Sequence, residues 1–144
     1  MKTKKLYKFL REGLKSNSGD HTWKLNEWYK AEGELSICNN GFHASKTIQQ
    51  AFSYVQGELL AEVEVRGDSV KEDDKECWSE MRLVKVWYWT KPDSVALSIF
   101  AAELVLDNYE KQCPCDTRPR DAIEAAKKVL ADDTEDNRSA AAWS

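Results

Sequence analysis

Residues 60–66, LAEVEVR, alternate strictly, with Ala61, Val63 and Val65 on one side and Glu62, Glu64 and Arg66 on the other. Extended backbone sends successive side chains to opposite faces, so this segment predicts a half-buried strand. Residues 81–89, MRLVKVWYW, are rich in β-branched and aromatic residues on both faces, as a central strand requires. Lys5–Leu10 supplies a first strand, with Leu6, Tyr7, Phe9 and Leu10 set among lysines. Leu35–Cys38 reads as a four-residue strand stopped by Asn39, Asn40 and Gly41, which favour positive φ and a tight turn. The charged run GDSVKEDDKE, residues 67–76, reads as a connection between strands.

Helical spacing takes over in two places. Ile48, Ala51, Phe52 and Val55 predict a short helix with Gly57 as its stop, and Ser45 is expected to cap it from just before Lys46. After Thr90 the chain changes character. Thr90 as N-cap, Pro92 in the first turn and Asp93 predict a helix running to about Lys111. Its apolar stripe, from Val95 through Phe100 and Leu104 to Tyr109, is wide enough to predict extensive burial. CPCDTRP breaks it, and Thr117 caps a second helix in which Ala122, Ile123, Ala126, Val129 and Leu130 line one face and Glu124 pairs with Lys128.

The expected fold class is therefore α+β: a small mixed or antiparallel sheet with one short helix, residues 1–90, and a C-terminal helical hairpin, residues 91–131, packed on it. Residues 132–144 read as a flexible tail or the start of a third helix cut short. A chain of 144 residues with 42% hydrophobic content buries about two-thirds of the surface its unfolded form exposes.

Charge and composition narrow the functional classes. A net charge of −4 and a pI near 5.3 leave no basic excess for bulk nucleic-acid binding, which depends on displacing counterions from phosphates. The basic start MKTKKLYKFLREG lacks the apolar core of a signal peptide, and no apolar run is long enough for a membrane helix, so the cytoplasm is the expected location. In that reducing setting Cys38, Cys77, Cys113 and Cys115 are expected as thiols.

The stretch SICNNGFHAS, residues 36–45, holds the candidate chemistry. Cys38 and His43 stand at a C-x4-H spacing, with His21, Cys77 or the Cys113–Cys115 pair as further candidates, but a tetrahedral zinc site needs four ligands, usually in two close pairs, and only Cys113–Cys115 resembles a pair. No metal is therefore expected. A Cys38–His43 nucleophilic dyad lacks an oxyanion hole and an orienting group. The structural role is simpler: Phe42 plugs the core, Ser45 caps the helix and a ring nitrogen of His43 holds the turn backbone. With six tryptophans in the chain, rings beyond the needs of the core can serve a binding surface, and Trp23, Trp28, Phe42, His43 and Ser45 are the expected binding residues. Glu72, Asp73, Asp74, Glu76 and Glu80 could face a basic partner, although such runs are usually solvated.

Residues 5–89, on the strength of ICNNGFHASKTIQQAFSYVQGELLAEVEVRGD and DDKECWSEMRLVK, resemble a phage and prophage domain family of unknown function with a Cys-x-x-Gly-Phe-His-Ala core. Residues 95–130, with RPRDAIEAA, resemble the helical repeat of immunity-type proteins of bacteria and their phages. The Gly-Phe-His-Ala-Ser turn, helix and strand are also distantly similar to a corner of ADP-ribosyltransferase-like folds. That likeness implies Tyr54 near a nicotinamide, His43 near a ribose and Glu80 as the acid, with NAD or another nucleotide as ligand; the Arg or His usual in the first strand is missing.

Without a complete catalytic set, the expected role is a non-enzymatic phage or prophage accessory protein that uses no cofactor and binds a host macromolecule, such as a protein of a defence system. The alternatives are an ADP-ribosyltransferase-like or nucleotide-binding protein and a self-assembling module that forms a homo-oligomer through its C-terminal helices.

Overall fold

The computed structural model describes residues 2–142. They form two compact units that divide between Trp89 and Thr90.

The first unit is an antiparallel sheet of five strands: β1 (Lys4–Leu10), β2 (Tyr29–Lys30), β3 (Phe42–Ala44), β4 (Leu59–Lys71) and β5 (Glu76–Tyr88), with one helix, α1 (Ile48–Tyr54). The order is β1-β4-β5-β2, and β3 pairs farther along β5, His43 facing Cys77. Tyr7 and Ser45 exchange two backbone hydrogen bonds of 2.8 Å, so the end of β3 is tied back to β1 and the sheet curls on itself. Two register shifts interrupt the β4–β5 ladder, one beside Gly67, whose φ is +85°. Bulges of this kind bend and twist a strand pair, which the curl requires.

The alternation at residues 60–66 predicts the inner face correctly, Ala61, Val63 and Val65 being fully buried, but the strand is not half-buried there, since Leu60 and Glu62 on the other face are closed off too. Ala61, Val63 and Val65 join Leu6, Leu10, Trp23, Met81 and Leu83 in the main core. On the opposite face Phe9 and Leu60 meet Ala51 of α1, with Phe52 and Trp89 edge-on to Phe9 at 5.3 and 5.1 Å. Glu62, on that outer face, is closed off but ion-paired with Lys5 at 3.1 Å.

Several local expectations give way. Leu35–Cys38 is not a strand: Ser36 and Asn40 bridge across a turn in which Cys38 takes φ +68°. The strand is Phe42–Ala44. The run from Gly67 to Lys71 continues β4, and Glu76–Glu80 begin β5, because backbone pairing with the partner strand outweighs the charge of the side chains. Glu76 is no solvated acid: it is fully buried, bonded by Lys4 at 2.5 Å and by the indole N–H of Trp78 at 2.9 Å. Ser45 does not cap α1. Its backbone is spent on Tyr7, and Thr47 Oγ1 accepts from Gln50 N–H as the N-cap.

The second unit holds α2 (Lys91–Gln112), α3 (Arg118–Ala131) and α4 (Glu135–Ala142). Thr90 N–H donates to Asp93 Oδ2 at 2.7 Å, the back-bond expected of the capping box. Ile99 and Leu106 of α2 enclose Ile123 of α3, and Arg120 grips Glu110 through two bonds of 2.7 and 2.8 Å. The wide stripe of α2 is only half used: Phe100, Leu104 and Val105 are 56–61% exposed. Glu124 reaches Lys127, not Lys128, and Lys127 also bridges to Glu103. Residues 135–142 are a third helix, not a loose tail. Among the described residues no helix is long and apolar enough to cross a membrane.

Candidate functional site

A cavity of about 570 Å³ opens between β1, β3, α1 and the loops at residues 16–21 and 38–41. Its walls follow from the strand period. On β1, Lys8 stands two residues from Leu6 and two from Leu10, both fully buried, so the same pleat that buries the leucines carries its ammonium inward. The Lys8 Nζ lies 5.0 Å from the centroid of the Trp23 ring. No carboxylate or hydrogen-bond acceptor among the described residues reaches it, and burial drives its pKa from the usual 10.5 down to about 8.

His21 stacks edge-on against Trp23 and Tyr29, each at 4.6 Å, and lines the cavity. Its Nε2 is buried without a hydrogen-bond partner. Burial first, and Lys8 second, hold its pKa below the normal range.

His43 occupies the middle of β3, and its Nε2 accepts the backbone N–H of Cys38 at 2.9 Å. This is the turn-holding role expected from the sequence. The acceptor geometry requires a neutral ring at Nε2. Burial, with Lys8 and Lys75 behind it, keeps its pKa low. Gly41, at φ +112°, permits the turn; a Cβ there would meet Leu35 Cδ2 at 2.8 Å and Cys77 Sγ still closer.

At the mouth, Lys75 Nζ lies 3.2 Å from Cys38 Sγ, 4.7 Å from the centroid of the Tyr54 ring and 3.7 Å from Glu72. Tyr54 donates its hydroxyl to Asp74. Both acids stand outside the lining, which contains Lys8, Lys75, His21 and His43 and no Asp or Glu. In a chain with 25 acidic residues, that concentrates positive potential in one concave surface.

The structure thus brings Phe42, His43, Ser45 and Tyr54 to one cavity. Glu80 is elsewhere, ion-paired with Arg66 at 2.7 Å, so the His43–Tyr54–Glu80 set is not assembled. Trp23 is 1% exposed and belongs to the core rather than a contact surface, its indole N–H bonded to Ser16 Oγ at 2.9 Å. Trp28 lies apart, its ring beside the guanidinium groups of Arg66 and Arg82 at 4.0 and 5.0 Å. Among the described residues no group of three or more His, Cys, Asp or Glu is placed to hold a metal ion.

Sequence reasoning missed Lys8 and weighed His21 only as a zinc ligand. The signal for Lys8 was present, a lysine in phase with two leucines on a strand; His21 lies in a polar loop with no periodicity to mark it.

Fold and cavity define a small α+β domain with a positively charged, aromatic-walled pocket. The chain belongs to a family described as a domain of unknown function, DUF7666, which matches residues 4–91. That span corresponds to the first unit and the start of α2. Neither the curated proteins nor the solved structures include a match.

Proposed function

We propose that the chain is a binding protein whose first unit takes a small anionic molecule bearing a flat ring, of the nucleotide class. The observation that carries this is the lining: two lysines, two histidines and no carboxylate around a cavity of about 570 Å³, a volume within the range of small-molecule sites. Tyr7, Phe42 and Tyr54 put aromatic rings in that lining, and Lys8 offers an ammonium with no carboxylate partner among the described residues. Melting curves with ADP-ribose, NAD and neutral adenosine test it. Occupancy at a hundred times Kd adds about 2.7 kcal/mol to native stability, so the anions raise Tm, adenosine does not, and Lys75→Ala reduces the shift. No shift with either anion at millimolar concentration overturns the proposal.

A second proposal is a phage or prophage accessory protein, its second unit an immunity-type helical module, that binds a host defence protein. It is favoured by the exposed Phe100, Leu104 and Val105 on α2, since contiguous exposed apolar surface commonly marks protein contact sites. A complex with a host protein that survives Phe100→Asp with Leu104→Asp would remove this face from consideration.

A further inference from the structure

We infer that Lys8 is a nucleophilic amine that condenses with the carbonyl carbon of an anionic aldehyde, a phosphorylated aldehyde being the class the cavity fits. The inference rests on the anion-binding reading above and adds a covalent step to it.

Three observations converge. Lys8 projects from an inward-facing position of β1 into an open cavity, over the Trp23 ring, and among the described residues no carboxylate or hydrogen-bond acceptor ties down its nitrogen. Lys4 and Lys5 on the same strand are both ion-paired, with Glu76 and Glu62, so Lys8 differs from its neighbours in kind. The second cation, Lys75, stands at the mouth, where it can hold a phosphate while the deeper nitrogen reacts. Burial adds that Lys8 sheds its proton near pH 8, so an appreciable fraction is free amine at physiological pH, the condition for attack.

The step balances without an oxidant or reductant. The lone pair of neutral Lys8 Nζ forms a C–N bond as the carbonyl π pair moves to oxygen, which takes a proton to give a carbinolamine. The oxygen takes a second proton, the nitrogen lone pair forms the C=N bond as the C–O bond breaks and water leaves, and the iminium then gives its proton to solvent. Amine and aldehyde become imine and water.

Pyridoxal 5′-phosphate is the probe, with pyridoxine 5′-phosphate, which has the alcohol in place of the aldehyde, as control. The full chain is incubated with sub-stoichiometric aldehyde at pH 7.5, reduced with borohydride and mapped by peptide mass spectrometry. The expected result is a dominant adduct on Lys8, at least tenfold over any other lysine, suppressed by excess pyridoxine 5′-phosphate and with a rate that reaches half its maximum near pH 8. Lys8→Arg, which keeps the charge but not the nucleophile, should lose the adduct and retain binding of the alcohol. If the alcohol binds and Lys8 is not trapped, the cavity reading survives and the covalent step is refuted. If the alcohol fails to bind and label spreads evenly over surface lysines, both fall.

Discussion

The backbone N–H of Cys38 donates to Nε2 of His43 at 2.9 Å, so one imidazole joins the strand β3 to the turn that precedes it. Cys38 is held at φ +68° and Gly41 at +112°, and a turn with two left-handed residues needs such an external tie. The contact has a direction in pH. The folded-state pKa of His43 lies below the usual 6.5, so its stabilising effect is complete above that value and is lost as pH falls through the folded-state pKa, because a protonated Nε2 cannot accept. His43→Ala should cost about 1–2 kcal/mol at pH 7.5, and the gap from the natural chain should narrow by pH 5. Urea titrations at the two pH values measure it; a gap that stays constant would mean the ring is not a neutral acceptor.

Lys8 gives the opposite sign for a substitution at neutral pH. Its folded-state pKa of about 8 lies below the unfolded 10.5, so the protonated side chain opposes folding, and the penalty is full below pH 8 and disappears above 10.5. Lys8→Met keeps the stem on Trp23 without the charge. It should stabilise the first unit at pH 7 by as much as roughly 3 kcal/mol, from the 1.36 kcal/mol attached to each pKa unit. The advantage should vanish near pH 11. Paired denaturation curves check this, and a variant less stable than the natural chain at pH 7 would show that the ammonium is well accommodated. A residue that costs stability where it stands is a mark of a site kept for function.

Gly41→Ala should be among the most damaging changes of one methyl group. The position requires φ +112°, and its Cβ would press on Cys77 Sγ and Leu35 Cδ2, both on the packed side of the turn. Strain of this kind costs about 1–3 kcal/mol. A fall in Tm, with loss of the His43 imidazole shift seen by NMR, is the expected pair of results; a lower Tm with an unchanged imidazole would separate the strain from the ring's contact.

What the sequence discloses depends on how local the deciding interaction is. Alternation at residues 60–66 marks the strand because the pleat alone sends Ala61, Val63 and Val65 to one face, and Thr90 with Asp93 marks a helix start because both partners lie within one turn. Phe42–Ala44 is short and becomes a strand only because β5 lies alongside, a partner more than thirty residues away in the chain, as the His43–Cys77 pairing shows. Ser45 looks like a cap by composition, but Tyr7, from the first strand, claims its backbone and moves the cap to Thr47. The apolar stripe of α2 gives the positions that could be buried without saying how many find a partner, which is why Ile99 is enclosed and Phe100 is not. Half of the cavity could be read in advance: His43 and Tyr54 follow from the Gly-Phe-His-Ala-Ser turn and its helix. Lys8 and His21 required knowing that the sheet curls so that β1 and β3 face one another.

Anion affinity should itself depend on pH in a way that identifies Lys8. An anion beside the ammonium stabilises the charged form, so the pKa of about 8 in the free protein rises on binding. Affinity is then constant below pH 8 and falls with pH above it, by up to tenfold per unit, until the pKa of the complex is passed. Phenyl phosphate isolates this effect because it cannot form an imine, its ring does not titrate, and its phosphate is already doubly charged across that range. Calorimetry at pH 7, 8 and 9 should show proton uptake on binding that grows toward pH 9. Lys8→Arg, charged throughout, should flatten the profile, whereas Lys8→Met should flatten it and weaken binding at pH 7 to the level of the natural chain at high pH. A profile that stays flat from pH 7 to 9 would instead place the anion on Lys75 alone, whose pKa the Cys38 sulfur, with Glu72 nearby, holds above the usual lysine value.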